Sequence, residues 1–256
     1  MEATFYVGTA FVLATAAVLT YVGVLQQGRA AGSPSDRAAI VAFAWWWYGA
    51  AAVLFLIGLQ SLLVLAGIET LAVHNAIRYV RMVPLSVAVG SLLFFMLYLL
   101  TGKIVWRTLL KVGYGGFFLF TIYYAYLSEP VHLRVTAWDV RMTPQTPVPP
   151  ALGILFGVLL AGPILFATIA YATLFFKVKD PTHRYRLALL ALSFIVWFGA
   201  ILIGFLLRWT GYDWFPLVYE TPGILAGALV IMAYRPPQWI QRRLSARSAG
   251  QDVQTT

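Results

Sequence analysis

Few residues of this chain could do chemistry, and those that stand out are ionisable groups inside apolar runs. Glu220 lies in Pro216-Leu-Val-Tyr219-Glu220-Thr221-Pro222, one to two helical turns into an apolar segment from about Trp214 to Tyr234. A carboxylate at that depth in a bilayer costs roughly 3 kcal/mol on insertion scales unless it is protonated, paired or facing water. Arg78 and Arg81 sit in the first turns of an earlier apolar segment, and Arg208 closes another. Such a set supports an ion pair or a hydrogen-bonded cluster, in which an unpaired arginine and an unpaired carboxylate relieve one another. Two readings stay open: a structural clamp that sets helix register, or an outward-facing polar pocket for a ligand or a proton.

Bond-making chemistry has little support. The chain has no cysteine, which removes disulfides, thiolate metal sites and cysteine nucleophiles. It contains no His-Glu-x-x-His, no Gly-x-Ser-x-Gly, no phosphate-cradling glycine loop and no metal-ligand spacing. The Asp and Glu residues are scattered singly, so no general acid/base pair can be read off. His74, His132 and His183 fall at or near expected span edges, which argues against a buried bis-histidine haem pair. The expectation is a non-enzyme without a metal.

The elements that must position these groups follow from the apolar runs. With 61% apolar and 11% charged residues, the chain departs from soluble domains, which hold about 45–50% and 25%. The excess is gathered into runs, which predicts an all-α integral membrane protein with seven transmembrane helices. The spans cover about 5–26, 38–66, 76–100, 104–127, 151–176, 186–207 and 214–234, and 238–256 forms a basic juxtamembrane stub and polar tail. Ser35 or Asp36 can cap the second helix, and Asp180 with Pro181 opens the sixth. Gly113, Gly115 and Gly116 can permit close helix packing. Weak alternation in Val131-His-Leu-Arg-Val135 and Val140-Arg-Met142 predicts a short β-hairpin in the 128–150 loop, over the mouth of the bundle. The stretch Met1-Glu-Ala-Thr lacks the positive flank of a cleavable signal peptide.

Seven spans put the termini on opposite sides. Of 18 Lys and Arg residues, only Arg78, Arg81, Arg134, Arg141 and Arg208 fall on the N-terminal side, so the N-terminus is expected outside and the C-terminus in the cytoplasm. That arrangement also explains the net charge of +9 as an orientation signal rather than a nucleic-acid footprint. It gathers Arg78, Arg81, Arg208 and Glu220 in the outer part of the membrane, with Glu69, Glu129 and Asp213 near the same mouth. No internal repeat is visible, which weakens an inverted-repeat transporter.

Two further groups are candidates. Trp45, Trp46, Trp47, Tyr123, Tyr124, Tyr126 and Trp197 can form a hydrophobic ligand slot or an interfacial belt with bundle packing, Trp197 being mid-span. The stub residues Arg242, Arg243 and Arg247 can meet anionic lipid, dock a cytoplasmic partner, or simply stop transfer.

Two family resemblances bear on function. Ala76-Ile-Arg78-Tyr79 through Pro84, Phe94 and Tyr98 to Thr101-Gly102-Lys103, Tyr185-Arg186-Leu, and Tyr212-Asp213-Trp-Phe-Pro216 through Glu220-Thr221-Pro222 to Arg235 resemble the seven-helix sensor module at the N-terminus of prokaryotic histidine kinases. That resemblance implies sensing in a prokaryotic cell membrane. With no output domain after Arg235, it implies signalling through a separate partner. More loosely, Pro216 to Thr221 resembles the start of the seventh helix of microbial rhodopsins. Their chromophore needs a lysine in that helix, and Gly223 to Met232 holds none, so no retinal Schiff base and no cofactor is expected. The expected function is a sensor, receptor-like or accessory protein of the cell membrane, embedded in the lipid bilayer and able to form homo-oligomers. A proton or anion transporter or channel, a rhodopsin-like protein unable to bind retinal covalently, and a lipid- or pigment-binding protein are the competing classes. Almost no charged group lies in the inner halves of spans three and seven, which favours a dead-end pocket over a pore.

Overall fold

A computed structural model describes residues 3–32, 34–123, 131–145, 149–210 and 215–244. Eight α-helical segments, a π-helical stretch, one hairpin and a short helical segment at 238–244 account for nearly all of them. Helix α1 spans Ala3–Ala30, α2 Arg37–Leu65 and α3 Leu71–Thr101. Helix α4 (Trp106–Thr108) runs through a π-helical stretch, Leu109–Tyr114, into α5 (Gly115–Ile122). Strands β1 (Val131–Val135) and β2 (Val140–Pro144) follow, then α6 (Pro150–Lys177), α7 (Pro181–Thr210) and α8 (Phe215–Tyr234).

Four of these, α1, α2, α3 and α6, are long and apolar enough to cross a membrane. At 28 to 31 residues each they run roughly 42–47 Å, more than a hydrocarbon core of about 30 Å needs. Shorter apolar helical stretches cover Val112–Ile122 and Thr221–Tyr234. The exposed flanks are apolar as well: Phe55, Val83, Phe120, Ile154, Ile169 and Ile195 all point outward. Water would not tolerate so much apolar surface, whereas lipid suits it.

The helices pack in a closed circuit. Helix α2 lies between α1 and α3, α3 meets α5 and α6, α6 meets α7, and α8 joins α7 back to α1. Inside the circuit Phe43, Trp47, Phe94, Phe194, Leu92 and Met96 are fully buried. Close approach of α2 and α3 depends on Gly49, where an added Cβ would lie 2.5 Å from the Pro84 carbonyl oxygen and 2.5 Å from Ala88 Cβ. Of the three glycines expected to aid packing in the fourth segment, Gly115 alone meets another helix: Ser86 Oγ donates to its carbonyl at 2.8 Å. An added Cβ at Gly113 would meet only its own Leu109, and one at Gly116 would meet nothing. The π-helical turn ends at Tyr114, whose hydroxyl donates to the Leu159 carbonyl of α6 at 2.7 Å.

The hairpin expected between 128 and 150 is present. Val131 pairs with Pro144 and Val135 with Val140 in antiparallel register. Arg134 and Arg141 stand opposite one another, and Asp139 moderates their repulsion by accepting from Arg141 Nε at 3.0 Å. Val140 packs with Phe5 of α1 and Val64 of α2, so the hairpin lies over the end where α1 starts, α2 stops and α3 starts. Gly8 admits it: a Cβ there would collide with the Trp138 carbonyl.

Boundaries and caps differ in places from expectation. Helix α3 begins at Leu71 rather than near Ala76, because Gly67 (φ 77°) ends the preceding turn abruptly. His74 and Asn75 are therefore helical, and His74, expected at a span edge, is fully buried. Asp36 occupies the N-cap of α2, but its carboxylate accepts from the Tyr98 hydroxyl at 3.0 Å instead of capping. Asp180 caps α7 as expected, accepting from the His183 amide at 2.7 Å, with Pro181 in the first turn.

That amide bond, together with the His183 ring at 2.6 Å and the Arg186 charge, holds the Asp180 carboxyl below its ordinary range despite some desolvation. The stabilisation is therefore complete above about pH 4, the ordinary carboxylate value, and is lost as pH falls through the lowered value. Thermal midpoints of detergent-solubilised protein should decline on acidification below pH 4. Asp180→Asn, which keeps a capping side chain, should flatten that decline, and an identical decline in the variant would contradict this assignment.

Candidate functional site

Beneath the hairpin, α2 and α3 bring together a group of polar side chains. Gln60 of α2 is fully buried, its Nε2 donating to the His74 carbonyl at 3.0 Å. Its Oε1 accepts from Arg81 Nη1 at 3.3 Å. His74 Nε2 donates to the Ile68 carbonyl at 2.9 Å, which places the proton on Nε2 and leaves Nδ1 a buried acceptor without a partner. Arg78, only 3% exposed, donates from Nη1 to Asn75 Oδ1 at 3.3 Å.

These side chains meet because of helical spacing. Residues 74, 78 and 81 recur at intervals of four and three and so share one stripe of α3. The turn after α2 folds that stripe back against Gln60. The Arg78–Asn75 and Arg81–Gln60 bonds, each 3.3 Å, are long beside the usual 2.9 Å, and each ends on a neutral amide. A guanidinium has five N–H donors. Asn75 is the partner of Arg78 among the described residues, so this buried cation lacks a carboxylate there. The arrangement is cation-rich and donor-rich, which suits it to an anion or another hydrogen-bond acceptor, whereas the orphan His74 Nδ1 calls for a donor. No nucleophile or acid/base pair accompanies it among the described residues, nor does any group of His, Asp and Glu that could hold a metal ion.

The other candidate residues are distributed as follows. Arg208 lies in α7 and Glu220 in α8, while their side chains fall outside the described residues. Tyr124, Tyr126, Glu129, Asp213 and Arg247 also lie outside them. Glu69 is exposed in the turn before α3. In the helix circuit α3 is flanked by α2 and α6, whereas α8 is flanked by α7 and α1. The Arg81–Glu220 pairing involves a side chain outside the described residues; on α2, Arg81 also donates to Gln60.

The three adjacent tryptophans divide. Trp45 faces outward at 48% exposure, as a belt residue would, but Trp46 and Trp47 turn into the core at 3% and 0%. Successive helical residues point about 100° apart, so three in a row cannot share the lipid face. Trp197 is buried and lies edge-on to Trp46 with ring centroids 6.4 Å apart. Tyr123 is half exposed at the end of α5, well placed for a surface belt. Arg242 and Arg243 are exposed in a helical turn over 238–244, where the Arg243 guanidinium lies 5.7 Å from the Trp239 ring.

Gln60, His74 and Asn75 were not expected in the site. Gln60 had a visible signal, an amide in the apolar run Leu59-Gln60-Ser61-Leu62, but attention to ionisable residues passes over it. No protein-family model matches this sequence, and neither does any curated protein.

Proposed function

We propose that this chain is a non-enzymatic, sensor-like or accessory protein of the cell membrane, with seven spans, the N-terminus outside, and a ligand site at the hairpin-covered end. The observation that carries the reading is Arg78: a guanidinium only 3% exposed whose bonded partner among the described residues is a neutral amide. Buried cations are costly unless paired, so a small anion such as a carboxylate would stabilise the folded state. Glu220 of α8 would supply the counter-charge that an external anion displaces. Binding would shift α3 against α2, and the change would reach a separate membrane or cytoplasmic partner through the stub at Arg242, Arg243 and Arg247, which also meets anionic lipid. Chains could pair as homo-oligomers in the bilayer without altering this site.

The test is thermal unfolding of the purified full chain against acetate, succinate and inorganic phosphate, at constant ionic strength. At one hundred times its dissociation constant a single-site ligand adds about 2.7 kcal/mol, a readily measured upward shift. Arg78→Gln should abolish the shift, and Glu220→Gln should change its pH dependence. Arg81→Gln provides a second probe should the Arg78 variant fold poorly. Midpoints insensitive to all three anions would refute the anion site. Proteoliposomes that conducted protons or chloride would instead establish a transporter.

A further inference from the structure

The polar groups under the hairpin largely find partners, whereas those in the aromatic centre of the bundle do not. Buried side-chain atoms without a hydrogen bond include the indole nitrogens of Trp46, Trp47 and Trp197 and the hydroxyl of Tyr171. All four side chains are at most 6% exposed. They border one ring cluster. Trp46 lies 6.3 Å from Trp47 and 6.4 Å from Trp197, and Phe194 lies 6.3 Å from Trp46 and 6.2 Å from Trp47. Tyr171 stacks on Phe194 at 5.7 Å. Three helices, α2, α6 and α7, contribute to the cluster.

An indole N–H can only donate, and a buried one usually finds an acceptor. A helix carbonyl can take a second donor, yet none of the surrounding ones accepts from these indoles. Phenylalanine would fill the same space without an orphaned donor, so three unsatisfied indoles in one cluster signal an acceptor brought from outside. Water is a poorer candidate, because a buried water also needs groups to which it can donate, and of the four orphaned groups only the Tyr171 hydroxyl can accept. An apolar molecule carrying carbonyl oxygens meets both demands. Its oxygens accept from the indole N–H groups, and a flat ring lies against the faces of Phe194 and the tryptophans.

We infer that the Trp46–Trp47–Trp197 cluster is a binding site for a membrane-soluble planar carbonyl compound of the quinone class. This site shares no residue with the anion site proposed above, and either can fail without the other. The experiment titrates the full chain in detergent micelles with a decyl-substituted 1,4-benzoquinone, reading tryptophan emission and thermal midpoint together. Decylbenzene, equally apolar but without acceptors, is the control. Saturable quenching with a raised midpoint for the quinone alone is expected. Trp46→Phe and Trp197→Phe should each weaken binding roughly five- to tenfold, the effect of one hydrogen bond of ordinary strength. Trp45→Phe, on the exposed face, should leave it unchanged. Linear quenching matched by decylbenzene would mean partition into the micelle and would overturn the inference. So would wild-type affinity in both core variants, or an absence of saturable binding, which would leave only ordered water as the acceptor.

Discussion

Gly49→Val is expected to cause the largest loss of folded protein of any single change in the helix circuit. The first added carbon alone would sit 2.5 Å from the Pro84 carbonyl oxygen and 2.5 Å from Ala88 Cβ. Neither neighbour can rotate away, since one is backbone and the other is the stub of an alanine. Helices α2 and α3 must therefore separate, and separation opens the packing around Trp47 and Leu92. Overpacking by a single methyl group typically costs about 1–3 kcal/mol, and valine adds two more carbons. Gly49→Ala should fall at the upper end of that range, partly offset by about 1 kcal/mol of improved helix propensity. Gly116→Ala, where an added Cβ meets nothing, should be neutral or stabilising. The measurement is the yield of monodisperse protein after detergent extraction, with the thermal midpoint of whatever survives. Equal behaviour of the Gly49 and Gly116 variants would contradict the packing described for α2 and α3.

Gln60→Met should produce the second-largest effect, and a more specific one. Methionine preserves volume and helical preference but removes both functions of the amide. Arg81 loses an acceptor and the His74 carbonyl loses a donor. Hydrogen bonds to charged groups contribute about 1.5–3 kcal/mol in proteins, and neutral ones less. Interhelical bonds within lipid average lower. A net loss of about 2 kcal/mol is expected, which for a chain of this size lowers the midpoint by roughly 4–8 °C. Gln60→Glu separates the two functions: it keeps an acceptor for Arg81 and loses the donor to His74. The glutamate variant should recover part of the loss through a stronger, charge-assisted bond to Arg81. If Met and Glu variants melt together, Gln60 is not the hub joining α2 to α3.

The same amide shows where reasoning from sequence stops. The apolar runs, the cap at Asp180 and the hairpin strands are local patterns, governed by neighbours a few residues away, and all are visible along the chain. The interhelical partners are not. Arg81 donates to Gln60 of α2, a partner brought near it by the turn that contains Gly67, and nothing in the spacing of the two residues announces that bond. Likewise Trp45, Trp46 and Trp47 read as one belt until the 100° step between helical residues is set against a particular neighbour. His74 passed as a span-edge residue because the start of α3 depends on how tightly the preceding turn closes.

Sequence by itself therefore determined the class: a helical chain too apolar for water, without cysteine chemistry, its cationic residues at helix ends and a hairpin between its halves. Those properties follow from composition and from periodicities of two and 3.6 residues, which need no knowledge of what lies across the bundle. Tertiary structure decided which polar groups meet. It set the circuit in which α3 lies against α2 and α6, placed Gln60 under Arg81, and turned two of three adjacent tryptophans inward without acceptors. Such contacts arise from close packing between helices distant in sequence, where one glycine sets the separation and the separation selects the partner.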